Sequence, residues 1–148
     1  MLSRLRLLVA TLWVGSGWTI GYLVAPTLFA TLPDPLQAGR IAGSLFRLEA
    51  WLSIACAIVL LALSAASRQR DGGAGYRSQM TLVALMLVCT LIGYFGLQPL
   101  MEGLRETASA SGLMSEAIRT RFAMLHGIAG VLYLFQSVLG IALIWRIR

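Results

Sequence analysis

The sequence predicts an all-α integral membrane protein, a bundle of four spanning helices, and three observations carry that prediction. Of 148 residues, 58% are hydrophobic and 12% charged, with a mean hydropathy of +0.80; a soluble domain carries about 25% charged residues. Four runs contain no charged residue at all: 7–33, 50–67, 78–101 and 122–145. Each is close to the roughly 20 apolar residues that a helix needs to cross about 30 Å of hydrocarbon. The segments between them are too short to bury a core of their own. The expectation is one domain, 1–148, with spans at about 7–32, 46–67, 78–99 and 120–145.

The first span opens on "MLSRLRLLVATLWVGSGWTIG". Its basic start and apolar stretch resemble a secretory signal, but the apolar run is too long and lacks a small-x-small cleavage site, so it reads as a retained span. Gly17, Gly21 and Ala25 recur every fourth residue, a small-residue stripe that lets a second helix approach closely. Pro26 follows, where the lost backbone hydrogen bond bends a helix. These four residues are read as packing positions.

The second span is preceded by "LPDPLQAGRIAGSLFRLEAW". Asp34 suits an N-cap with Pro35 as first helical residue. A helix unbroken from Pro35 to about Ser67 measures about 50 Å at 1.5 Å per residue, so its first part must project, bend or lie in the interface. Glu49, Ser53 and Cys56 share one of its faces. The following link, "SRQRDGGAGYRSQ", reads as a short flexible turn against anionic lipid. The third span ends in "GYFGLQPLMEGLRE", with Gln98 and Pro99 at its end. "TASASG" then reads as a small-residue linker, with a fresh helix from near Ser115. An internal echo joins "GYLVAP" to "GYFGLQP" and "RIAGSLFRLEAW" to "IRTRFAMLHGIA", at a shift of 72 to 76 residues. It is compatible with a duplicated two-helix unit.

Charge placement sets the orientation. With both termini cytoplasmic, the inner segments carry seven arginines against one aspartate, and the outer segments five arginines against five acids. That bias follows the positive-inside rule. The net charge of +6 therefore belongs to the membrane surface and not to a nucleic-acid partner. No lysine is present, which excludes Schiff-base chemistry on lysine. Cys56 and Cys89 fall inside spans and read as small apolar fillers.

The polar residues inside the spans are the candidates for function. The only histidine, His126, lies on a stripe with Arg119 and Tyr133 at seven-residue spacing, with Ala129 and Gln136 on nearly the same face. Polar groups in a membrane helix turn toward the bundle, because lipid offers them no partner. Glu49, Gln98 and Tyr22 fall at the same outer level, with Arg47 and Arg119 just above. The expected site is a polar cluster at the outer end: Glu49, His126, Arg47, Arg119, Gln98, Tyr22 and Tyr133. Three readings stay open. His126 and Glu49 fix helix packing; or His126 is a metal or haem ligand, since imidazole suits haem iron and copper; or the cluster binds a small anionic or protonatable solute that the bundle helps to cross the membrane or to sense. No Ser–His–acid set, paired carboxylates, phosphate loop or zinc motif is present, so no catalytic residue is assigned.

The stretches "WVGSGWTIGYLVAPTLFATLPDPLQAGRIAGSLF", "QPLMEGLRE" and "RFAMLHGIAGVLYLFQSVLGIALIW" resemble the bacterial branch of the transmembrane protein 205-like family, domain of unknown function 4149. The most specific matches are Ala25, Pro26, Leu28 and Phe29; Pro99 with Arg105; and Phe122, His126 and Gly127. The resemblance implies a four-helix protein of the bacterial inner membrane. It also implies distant kinship with four-helix copper-resistance proteins and a haem-dependent protoporphyrinogen oxidase, which is what keeps haem or copper in view. The family often has a serine three and an asparagine seven residues after the histidine; here those are Ala129 and Tyr133.

The function expected from all this is a non-enzymatic membrane protein that binds a small ligand or metal at Glu49 and His126. The alternative is a scaffold subunit, in a homo-oligomer or with a membrane partner. A haem-dependent oxidoreductase is the third class.

Overall fold

The computed structural model describes residues 2–71, 75–111 and 115–147, and these are helical almost throughout. In chain order they form α1 (Leu2–Trp18), a π-helical turn (Thr19–Val24), α2 (Ala25–Thr31), α3 (Pro35–Asp71) and α4 (Gly75–Leu91). A second π-helical turn (Ile92–Leu97), α5 (Gln98–Ser111) and α6 (Glu116–Ile147) complete the chain. Grouped as spans, they give four helices long and apolar enough to cross a membrane: Leu2–Thr31, Pro35–Ser67, Gly75–Ala108 and Glu116–Ile147.

The caps follow the sequence chemistry. Asp34 Oδ1 accepts the Leu36 N–H at 2.9 Å, and Pro35 takes the first helical position, where a missing N–H costs nothing. Ser115 Oγ accepts from the Ile118 N–H at 3.4 Å ahead of α6. Two expected turns are corrected. "TASAS" (107–111) is the last turn of α5, not a linker, because nothing in Thr, Ala or Ser forbids helix. Most of the expected turn "SRQRDGGAGYRSQ" is likewise helical, at the ends of α3 and α4; its glycines at 72–73 and Ala74 lie outside the described residues.

Both π-helical turns end two residues before a proline, at Pro26 and Pro99. An α-helical proline leaves a carbonyl without its donor and collides with it. Here the register widens one turn earlier, with Ala25 N–H reaching the Ile20 carbonyl and Gln98 N–H the Gly93 carbonyl. The two devices stand 73 residues apart, within the shift of the internal echo. A π turn opens a helix locally and is often found at functional sites.

The helices pack in a ring: α1 on α3, α3 on α4, α4 on α6, and α6 back on α1. The tightly packed half is the one holding both chain ends. Trp13, Leu60, Met86, Leu143 and Val83 are fully buried there, and Gly140 lets Val14 come so close that a Cβ would stand 2.8 Å from Val14 Cγ2. Polar bonds tie this end together. Arg6 donates to Gln79 Oε1 at 3.2 Å, Gln79 donates to the Arg146 carbonyl at 2.7 Å, and Arg146 donates to Ser78 Oγ at 3.0 Å. Both termini therefore lie at one end of the bundle.

Candidate functional site

The other half of the bundle is hollow. A cavity of about 480 Å³ lies between the π-helical turns, α2, the first half of α3, the end of α4, α5 and α6. Its size is that of a site for a drug-sized molecule (roughly 300–1,000 Å³).

The cavity exists because small residues and wide helical turns face one another where large side chains would close it. Gly21, Ala25, Ala42, Gly43, Ala50, Gly93, Ala129 and Gly130 all reach its wall. Two tyrosines span the gap between the first span and α6. Tyr133 donates a hydrogen bond to the Gly17 carbonyl, and its ring takes the space that a Cβ at Gly21 would fill. Tyr22 and Phe46 meet that ring edge-on, with centroids 5.6 and 6.0 Å away. Ser137 Oγ donates to the Tyr133 carbonyl at 2.9 Å, so the Tyr22 hydroxyl is the donor in its own 2.9 Å bond to Ser137.

Glu49 lies at the inner end of the cavity and is 7% exposed. Ser53, one turn on, donates to Glu49 Oε1 at 2.7 Å and accepts from Trp13 Nε1 at 2.6 Å. The relay holds the carboxyl on the α1-facing side of α3. Beside it, Gln136 donates to Thr90 Oγ1 at 3.1 Å.

At the far end Arg105 forms a roof. Its NH1 pairs with Glu102 Oε2 at 2.9 Å, its guanidinium lies 5.3 Å over the Phe122 ring, and it rests against Gly39 and Gly43. A Cβ on Gly39 would stand 3.2 Å from Arg105 Nε. His126 stacks on Phe122, with rings 6.2 Å apart and 8° from parallel, and is exposed at the cavity edge.

Five of the seven candidate residues therefore share one wall: Glu49, His126, Gln98, Tyr22 and Tyr133. Arg47 and Arg119 are exposed and do not line it. Glu49 and His126 share the cavity without an ion pair between them. His126 is seven residues from Tyr133, about 10 Å along the helix axis, whereas Glu49 and the Tyr133 hydroxyl would both lie 3.6 Å from a Cβ on Gly17. Among the described residues no three of His, Cys, Asp and Glu gather as a metal site. Of the packing residues, Gly17 and Gly21 receive Tyr133, while Ala25 and Pro26 face the cavity. Sequence reasoning gave Arg105, Phe122 and Trp13 no place in the site. The glycine pair at 39 and 43, spaced like 17 and 21, was the available sign that another group packs there.

A family model described as a domain of unknown function, DUF4149, matches residues 8–110. The chain belongs to the DUF4149 family. The matched stretch takes in α2, α3 and α4 and both π-helical turns, and stops short of α6, which carries His126. Neither the curated proteins nor the solved structures give a match to this DUF4149 chain.

Proposed function

We propose that this DUF4149 protein is a non-enzymatic membrane protein that binds one small organic ligand in the cavity above Glu49. The observation that carries the reading is the buried Glu49 carboxyl at the inner end of an otherwise largely apolar hollow. An ionisable side chain inside a span is costly and marks a functional site unless paired. Here Ser53 and Trp13 orient Glu49 without bringing it an opposite charge. Its natural complement is a cationic or hydrogen-bond-donating group. Gln98, Tyr22, Tyr133 and His126 line the remaining wall, where aromatic surface suits an apolar body. A haem or copper site has less to support it, because His126 is stacked on Phe122 at the edge and, among the described residues, no three of His, Cys, Asp and Glu gather as a metal site.

The same reading places the protein in a bacterial cytoplasmic membrane with both termini inside, in keeping with the arginines at that end of the bundle.

The test is extraction of small molecules from protein purified in mild detergent, followed by mass analysis, for wild type and Glu49→Gln. A compound near stoichiometric in the wild type and depleted about tenfold in the variant is expected from losing one charge-assisted contact. Equal recovery from both, or none from either alongside a stable larger complex, would turn the assignment toward a scaffold role.

A further inference from the structure

We infer that the cavity is loaded sideways from the bilayer, between α2 and α6, by a single-chain amphiphile with a cationic or donating head group. This rests on the binding reading above and specifies the ligand class and its route.

The outer end is roofed. Arg105, with a side chain 11% exposed, is pinned over Phe122 and against Gly39 and Gly43, and Met101 is buried beneath it. A cation coming from water at that end meets the guanidinium first. The side is different. Below the level of Tyr22 and Tyr133, α1 and α6 are locked by Tyr133 to Gly17, Tyr22 to Ser137 and Val14 to Gly140. Above it, α2 packs on α3 and on its own π-helical turn and forms no comparable interface with α6 among the described residues.

The seam so left is edged by Tyr22 (51% exposed) and Phe29 (49%) on one side, and by Phe122, His126, Ala129 and Gly130 on the other. From Phe122 to Tyr133 it is about 16 Å tall. Both edges fall within the charge-free runs 7–33 and 122–145, so the seam faces hydrocarbon. Glu49, Thr90 and Gln136 lie deep inside, while the opening is edged mainly by aromatic rings and small residues, with His126 among them; this suits a head group that enters toward Glu49 while its chain stays among the lipid tails.

Gly130 offers a plug. It lies seven residues before Ser137, on the α1- and α2-facing side of α6, and nothing stands within 4 Å of a Cβ built there. Gly130→Phe therefore fills the seam without touching the Glu49 relay.

The experiment uses the full chain in phosphatidylcholine vesicles and two photoactivatable probes: a long-chain alkyl amine with a mid-chain diazirine, and a short water-soluble amine carrying the same group. Labelled residues are mapped by mass spectrometry. The expected result is long-chain labelling at Tyr22, Phe29, Phe122 or Ala129, competed by unlabelled long-chain amine, and reduced about tenfold in both Glu49→Gln and Gly130→Phe. Labelling of the wall by the short amine alone, unchanged in Gly130→Phe, overturns the lateral route and leaves the binding reading standing. Labelling by neither probe overturns both. A helical circular dichroism spectrum and a monodisperse detergent profile show that each variant has folded. Gly130→Leu, a smaller plug, replaces Gly130→Phe if that variant has not.

Discussion

Gly21→Ala isolates the close approach on which the shape of the site depends. The added Cβ would stand 2.5 Å from Tyr133 Cζ and from the hydroxyl oxygen, so the ring must leave its seat. Overpacking of this kind costs roughly 1–3 kcal/mol. Displacing the Tyr133 hydroxyl from the Gly17 carbonyl adds about 0.6 kcal/mol, the average for such bonds in membranes. Against this stands a gain of up to about 1 kcal/mol in helix propensity. The net expectation is a loss of about 1–3 kcal/mol. Gly15→Ala is the control, since nothing lies within 4 Å of a Cβ there; it should be neutral or gain up to about 1 kcal/mol. Reversible unfolding in mixed micelles of rising SDS content, followed by circular dichroism, gives both values. The double variant Gly21→Ala with Tyr133→Ala should recover most of the clash term as a coupling energy of about 1 kcal/mol or more. If Gly21→Ala is as stable as Gly15→Ala within about 0.5 kcal/mol, or the coupling vanishes, Tyr133 does not occupy the notch.

The other expectations are checked in the same preparations. Ser53→Ala should cost about 1–3 kcal/mol in SDS unfolding, because it strands the buried Trp13 N–H and a Glu49 oxygen together; Trp13→Phe should add little to it. Gly140→Ala should destabilise by roughly 1–3 kcal/mol through its 2.8 Å approach to Val14 Cγ2, with Val14→Ala restoring most of the loss. Iron and copper measured by elemental analysis should stay well below stoichiometry in the wild type and in His126→Ala alike; near-stoichiometric metal lost on that substitution would make the histidine a ligand. In a background of Cys56→Ala and Cys89→Ala, an impermeant maleimide added to intact cells should label Ser115→Cys and reach Ser3→Cys only after permeabilisation.

The spans were legible because hydrocarbon thickness and the absence of charge are written directly in residue order. Asp34, Pro35 and Ser115 marked helix starts for equally local reasons. The end of α5 was not legible, because Thr107–Ser111 favour helix and loop about equally and neighbouring structure decides. Pro26 and Pro99 announced a backbone problem without its solution: a bend and a π-helical turn both answer a missing N–H, and periodicity is too coarse to separate them. In the site, facing direction was readable and contact was not. The stripe on α6 placed Tyr133 and His126 inward, but which stands beside Glu49 depends on how α1, α3 and α6 are staggered. Arg47 was drawn in by level alone, and level does not say which way a side chain turns; Arg119 shares the seven-residue stripe of His126 and Tyr133, yet it stands exposed near the start of α6 and does not line the cavity.

The uneven packing of the bundle divides the work between its halves. Inside a membrane, helices gain no hydrophobic energy by meeting, so close packing and polar bonds must hold them. Around the termini these are supplied by Trp13, Leu60, Met86 and Leu143 and by the Arg6–Gln79–Arg146 contacts. That anchorage lets the opposite half forgo contact: two prolines with widened turns, a wall of small residues, and two tyrosines, Tyr133 and Tyr22, bridging the first span to α6. Trp13 belongs to both halves. Its ring is 1% exposed in the core, while its N–H reaches through Ser53 to Glu49. The position of the one buried carboxyl in the cavity is thereby referred to the most rigid part of the molecule, not to the helices that would part to admit a ligand. A site built this way can open at its seam without losing the orientation of its carboxyl group.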